Sequence, residues 1–298
     1  MGNSFKEIRR RIKGVKNTRQ ITKTMEMVAA SKMRRAQTVA LQMRPYAEKA
    51  LEIMSGLEGK TGSITHPLLE KRRANRTTVI LITSDRGLCG GLNANLINKV
   101  NEHVKKMHKG SVDFITLGKK GRDAMFRMGY KITADFSGLK KFDFNFVWPM
   151  ISMAMNSFMK GDTDRVILAY SKFINTLTQK PMFQPLLPLT QENLLDIVEG
   201  IVGKDHPVQK KYDYKFEPEA PSVLKSLLPK LTEMQIFKAV LESQASEQSA
   251  RMAAMKNATD AADEITDELT LTYNQARQAS ITAEIAEIST AADALAKQ

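Results

Sequence analysis

The last 68 residues, Leu231 to Gln298, contain neither Gly nor Pro. Ala, Glu, Gln, Met and Leu dominate, all good helix formers. One unbroken helix over this stretch would be roughly 100 Å long. Near its end, Leu271, Asn274, Gln278, Ile281, Ile285, Ile288, Ala292 and Leu295 follow at alternating spacings of three and four, a heptad stripe. An apolar stripe on so long a rod needs cover, from a second helix of the chain or from another molecule.

A second long helix is written at the start. Ser4 with Glu7 three residues on has the form of a capping box. Phe5, Ile8, Ile12 and Val15 open an apolar stripe that Ile21, Met25, Val28 and then Ala29, Met33, Ala36 and Ala40 continue less regularly. Pro45 predicts a break, because proline removes a backbone donor and crowds the preceding turn. Gly56, Gly59 and Gly62 end the segment. The charges suggest that the two ends pair. Residues 1–60 hold 14 Lys/Arg against 5 Asp/Glu, a balance of +9, and residues 231–298 hold 5 against 11, a balance of −6. Aligning the segments end to end in antiparallel sense sets residue 58 near 231 and residue 4 near 285, with the final dozen residues projecting. The middle of the last helix then meets its partner through Ser243, Glu247, Ala250, Ala254, Asn257 and Ala261, small or polar residues that bury little apolar area.

Between the helices the pattern changes. Thr77–Thr83, Val112–Leu117 and Arg165–Ser171 read as buried strands. Helices are expected over Leu92–Met107, Lys119–Met128 and Val147–Met159. Strands alternating with helices imply a parallel sheet with helices on its faces. Gln179–Leu189 is Pro-rich and extended. Lys210–Phe216 alternates like an edge strand, and residues 191–207 carry no clear pattern. The organisation is a helical segment over 1–60, an α/β domain over 61–220 and a helical segment over 221–298.

Chemistry is sparse. Gly87-Leu88-Cys89-Gly90-Gly91 follows a strand and precedes a helix, where nucleotide phosphates often bind. Its spacing is neither G-x-G-x-x-G nor a P-loop, so a tight structural turn is the favoured reading. Cys89 is the single cysteine, which excludes an internal disulfide and a Cys-based zinc site. His66, His103, His108 and His206 are scattered and form no metal pair. Asp263-Glu264 and Asp267-Glu268 read as a solvated helix face. No catalytic, metal or cofactor site emerges. No apolar run of about 18 residues spans a membrane, and no signal peptide leads the sequence.

The net charge of +13 leaves nucleic-acid binding open as an alternative. Arg9, Arg10, Arg11, Lys13, Lys16, Arg19 and Lys23, then Lys32, Arg34 and Arg35, form a basic helix surface. It suits acidic protein loops or phosphates, but Tyr and Trp are absent nearby, so base stacking gains no support. A Rossmann-type enzyme with helical extensions is the other rival.

Four ordered motifs carry a family resemblance. Ile21-Thr22-Lys23-Thr24-Met25-Glu26-Met27-Val28-Ala29-Ala30-Ser31-Lys32-Met33 resembles the N-terminal signature of the gamma subunits of F-type ATP synthases. Ser84-Asp85-Arg86-Gly87-Leu88-Cys89-Gly90-Gly91-Leu92-Asn93 resembles their central motif. Ser246-Glu247-Gln248-Ser249-Ala250-Arg251-Met252 and Tyr273-Asn274-Gln275-Ala276-Arg277-Gln278-Ala279-Ser280-Ile281-Thr282 resemble their C-terminal signature. The resemblance implies an antiparallel coiled coil of the terminal helices with a Rossmann-like α/β domain between them. It implies a non-catalytic rotor shaft that couples proton flow through a membrane c ring to the catalytic beta subunits. The implied partners are alpha, beta and epsilon subunits and the c ring, with no nucleic acid, no cofactor and no membrane span of its own. The implied place is the cytoplasmic side of a bacterial plasma membrane, peripherally. By the same resemblance, Met25, Arg251, Gln278 and Thr282 contact beta. Ile281, Ile285, Ile288 and Leu295 turn in an apolar sleeve of alpha and beta, and Tyr214 and Glu217 lie at the foot near the c ring and epsilon. The extra cysteine pair of redox-regulated plant forms is missing.

Overall fold

The computed structural model describes residues 2–57, 66–73, 75–107, 111–138, 143–190 and 219–296. The chain divides into two compact units, one of residues 1–29 and 251–298, the other of residues 30–250. Its helices are α1 (Gly2–Gln42), α2 (Arg44–Leu57), α3 (Leu92–Val104), α4 (Lys119–Arg127), α5 (Phe144–Lys160) and α6 (Ala220–Ala296). Its strands are β1 (Thr77–Ile82), β2 (Val112–Leu117), β3 (Lys131–Asp135), β4 (Arg165–Phe173) and β5 (Gln179–Leu187).

The first helix breaks where proline predicts it: α1 stops at Gln42, and α2 restarts with Pro45 in its first turn, where a missing N–H costs nothing. The last helix begins at Ala220, eleven residues before the Gly- and Pro-free stretch, and runs through Pro229. Pro221 sits in its first turn, again a tolerated place.

In the larger unit the sheet order is β3-β2-β1-β4-β5. Strands β1, β2, β3 and β4 pair in parallel, as expected from the strand–helix alternation, and β5 returns antiparallel to β4. Every residue of β1 is buried, because helices cover both faces. Val79 and Leu81 point to the side held by Leu96, Val100, Val104 and Met125 of α3 and α4. Ile80 and Ile82 point to the other, where Met150, Ile151 and Phe158 of α5 meet Leu231, Ile236 and Val240 of α6. Strand β3 was not expected: its Lys131-Ile132-Thr133-Ala134-Asp135 run is short, and only its alternate residues are half-buried, as suits an edge.

Strand β5 is the opposite edge and has no partner on its outer side among the described residues. Pro181 and Pro185 lie in it, and neither can donate to a ladder. The Pro181 carbonyl instead accepts from Lys99 Nζ at 2.9 Å. The expected strand at Lys210–Phe216 lies outside the described residues.

In the smaller unit α1 and α6 run antiparallel. Thr22 Oγ1 and Thr259 Oγ1 share a buried hydrogen bond of 2.8 Å, and Arg19 pairs with Asp263. This register is displaced by about two helical turns from the end-to-end alignment, since α6 starts earlier than that alignment assumed. The seam is small and polar: Thr22 and Ala29 on α1, and Met255, Thr259, Ala262 and Thr266 on α6, are buried. Asn257 and Ala261, expected in the seam, are exposed. Ile21 and Val28 point outward where Thr22 and Ala29 point in. Small side chains let the helix backbones approach closely, and bulky β-branched neighbours are turned out. Arg19–Asp263 is an ion pair between the two helices, while Arg11 and Lys23 pair within α1 to Glu7 and Glu26.

Candidate functional site

Two features concentrate the motif residues: the loop after β1 and the outer stripe of α6. In the loop, Ser84 and Asn93 clasp each other. The Ser84 N–H donates to Asn93 Oδ1 at 3.1 Å, and Asn93 Nδ2 donates to Ser84 Oγ at 2.7 Å and to Cys89 Sγ at 3.3 Å. Ser84 Oγ donates in turn to the Arg86 carbonyl at 2.6 Å. Asp85 ties the loop to its neighbours by accepting from the Lys119 and Gly138 N–H groups. The side chains of Ser84, Asp85 and Asn93 are thus spent on holding the turn itself. Gly90 sits at φ +57°, and so does the non-glycine Leu88, at +62°. Replacing Asn93 by Ala removes three hydrogen bonds and is expected to lower stability by about 2 kcal/mol, read as a shift in denaturant midpoint. An unchanged midpoint would mean that the clasp contributes nothing.

The loop carries a residue that the sequence pattern does not mark. Leu88 is 63% exposed, and its only signal is its place among Gly87, Gly90 and Gly91. The turn between β4 and β5 likewise presents Ile174 and Leu177. It is built by Asn175 Oδ1, which accepts from the Leu177 and Thr178 N–H groups.

On α6 the heptad stripe of the sequence faces solvent. Leu271, Ile281, Ile285 and Ile288 are 61, 47, 62 and 70% exposed. Half-buried Tyr273, Ala276, Ser280 and Ala283 lie on another side of the helix. Exposed apolar residues in a continuous row mark an interaction surface more often than an accident of folding. Gln278 and Thr282 stand exposed at the head of the row, where Thr282 Oγ1 donates back to the Gln278 carbonyl at 2.9 Å. Met25 is half-buried in α1, and Arg251 is buried on α6. Leu295 lies within α6, its side chain outside the description, and Tyr214 and Glu217 lie outside the described residues. The four residues expected to touch one partner therefore fall into an exposed pair, Gln278 and Thr282, and a more enclosed pair, Met25 and Arg251.

Among the described residues no group of His, Cys, Asp and Glu is arranged to hold a metal ion. No described helix is long and apolar enough to cross a membrane.

Residues 4–295 match the sequence profile of the ATP synthase family. The ATP synthase gamma chain of Heliobacterium modesticaldum is 43% identical over 98% of this chain and 99% of its own length. That of Dehalococcoides mccartyi is 44% identical over 97% of this chain and 98% of its own. The chain belongs to the ATP synthase gamma chain family. Solved structures share the fold. A chain of the Tetrahymena thermophila mitochondrial ATP synthase central stalk/c-ring superposes with a TM-score of 0.54 at 26% identity, covering 80% of this chain and 99% of that one. A chain of the Euglena gracilis mitochondrial ATP synthase rotor gives 0.62 at 20% identity, covering 94 and 100%. For the gamma family, then, the antiparallel helix pair and the central mixed sheet are the expected architecture, and both are present here.

Proposed function

We propose that the chain is the central rotor subunit of a bacterial ATP synthase and has no catalytic site of its own. It turns with a membrane ring of c subunits and moves three catalytic beta subunits through their states in turn. A shaft that biases equivalent sites differently at each angle must be asymmetric, and differential contact is the only way it can shift them. The observation that carries this reading is the exposed row Ile281, Ile285 and Ile288 on a helix of a gamma-family chain. Apolar contact is non-directional, so such a row suits turning inside a sleeve of alpha and beta subunits. Gln278 and Thr282, at its head, can latch particular beta states by hydrogen bonds, with Arg251 and Met25 as further beta contacts. The foot, with Tyr214 and Glu217, meets epsilon and the c ring. The chain then sits peripherally on the cytoplasmic face of the membrane.

Changing Gln278 and Thr282 together to Val is expected to reduce ATP turnover of the assembled complex by about tenfold, equivalent to ~1.4 kcal/mol of lost latch energy. The free chain keeps its fold, since both residues are exposed in it, and the complex is expected to assemble. Turnover equal to wild type would remove the pair from the functional list. Purification decides the larger question: a stoichiometric complex with ATP-hydrolysing subunits is expected. Recovery with nucleic acid in a salt-sensitive complex would overturn the rotor reading in favour of the basic coiled-coil alternative.

A further inference from the structure

Helix α6 changes its manner of attachment along its length. From Leu228 to Leu241 it is held to the sheet by apolar side chains: Leu228, Leu231, Ile236, Phe237, Ala239, Val240 and Leu241 are all buried in one core. From Glu242 to Ala250 the buried residues are Ser243, Ala245, Ser246, Gln248 and Ser249, and contact with the sheet is made through directed polar bonds. Ser246 Oγ donates to the Ser171 carbonyl of β4 at 2.9 Å. Ser249 Oγ donates to the Thr176 carbonyl in the β4–β5 turn at 2.7 Å, and accepts from Gln179 Nε2 of β5 at 3.4 Å. One turn earlier, Glu242 Oε1 lies 3.3 Å from Lys238 Nζ. Burial, and then the Glu242 carboxylate beside it, push the buried Tyr170 hydroxyl of β4 well above its ordinary pKa. Burial lowers the pKa of Lys238 against the opposing pull of Glu242.

The direction of the two serine hydroxyls is the informative detail. Further along the same helix, Thr259, Thr266, Thr270, Thr272, Thr282 and Thr290 all bond to the carbonyl four residues back in their own helix. That local bond is open to any helical Ser or Thr. Ser246 and Ser249, both fully buried, forgo it and reach across to the sheet instead. Apolar packing resists separation but is not directional, so by itself it sets the angular position of a helix weakly. A hydrogen bond to a fixed carbonyl has a narrow range of length and angle and therefore fixes register.

We propose that Ser246 and Ser249, supported by Gln179, are positioning residues that lock the rotation of α6 on the β4–β5 hairpin, so that torque on the sheet passes into the helix without slip. This rests on the rotor reading. The pair acts inside the larger unit, residues 30–250, by fixing α6 to the sheet.

The test measures torsional stiffness in the assembled catalytic complex. A probe is attached to the sheet unit, rotation is stalled, and the angular variance of the probe is recorded. Ser246→Ala with Ser249→Ala is expected to raise that variance about twofold, because half or more of the directed bonds across the joint are gone. Thr266→Ala, which removes a hydroxyl bonded only to its own helix, is expected to leave it unchanged. Variance in the double variant equal to wild type overturns the inference, as does an equal rise in the Thr266 control. Should the double variant not assemble, Ser249→Ala alone is read by the same criterion. A wild-type complex that never rotates would instead remove the rotor reading, so the two failures are distinct.

Discussion

Replacing Ile285 and Ile288 together by Asp is expected to leave the free chain folded and to cut ATP turnover of the assembled complex by about tenfold or more. Both side chains are mostly exposed in the chain itself, so new carboxylates there stay hydrated. The change in stability of the free chain should fall within about 0.5 kcal/mol. Inside a close apolar sleeve the same carboxylates would lose their water, at a cost of several kcal/mol, unless the complex opens around them. Thermal unfolding of the free chain and turnover of the reconstituted complex are the two readings. A normal rate would sink the bearing role of the stripe. A collapsed melting temperature would show instead that the stripe is part of the chain's own core.

Gly118→Ala is expected to destabilise the sheet unit by about 3 kcal/mol or more. Gly118 adopts φ +104°, a region that side-chain-bearing residues rarely enter, and a Cβ there would sit 2.1 Å from the Thr83 carbonyl oxygen. That oxygen is backbone, so no rotamer change relieves the clash. Thr83 is also committed: its N–H donates to the Leu117 carbonyl at 2.8 Å, and its hydroxyl accepts from the Gly121 N–H at 2.8 Å. Yielding at this point would disturb the ends of β1 and β2 together. Gly14→Ala is the internal comparison. Gly14 lies in α1 with nothing within 4 Å of the added Cβ, so the same substitution should stabilise by about 0.5–1 kcal/mol. Equal denaturant midpoints for the two variants would contradict the geometry around Thr83.

Legibility in the sequence followed burial. Strands β1, β2 and β4 could be read because burial on both faces demands continuous apolar runs, and Thr-Thr-Val-Ile-Leu-Ile at 77–82 is such a run. Strand β3 at the sheet edge needs only Ile132 and Ala134 on its half-covered face and was missed. The two prolines of β5 obscured its ladder in the sequence. The helix seam misled for a different reason. Ile21 and Val28 look like core residues and stand exposed, whereas Ala29 of the same expected stripe is buried together with Thr22, a small polar residue outside that stripe. Of the candidate site, the stripe and its polar head were legible as a heptad. The projection of the final residues past the first helix was also legible, and the exposed Ile288 agrees with it; what the sequence could not say is that the exposed row already begins at Leu271.

The outer edge of β5 bears on the interval before any partner is bound. Among its described residues the chain carries a strand edge with no neighbour and several exposed leucines and isoleucines, the ingredients of cross-strand self-association. Pro181 and Pro185 withhold two donors from that edge, and Lys99 occupies one of its carbonyls while leaving a cation beside it. A second copy trying to add its own strand would find a broken template. Unassembled chains should therefore associate, if at all, through their greasy helix surface as reversible amorphous clusters, and not grow as ordered fibrils through the sheet.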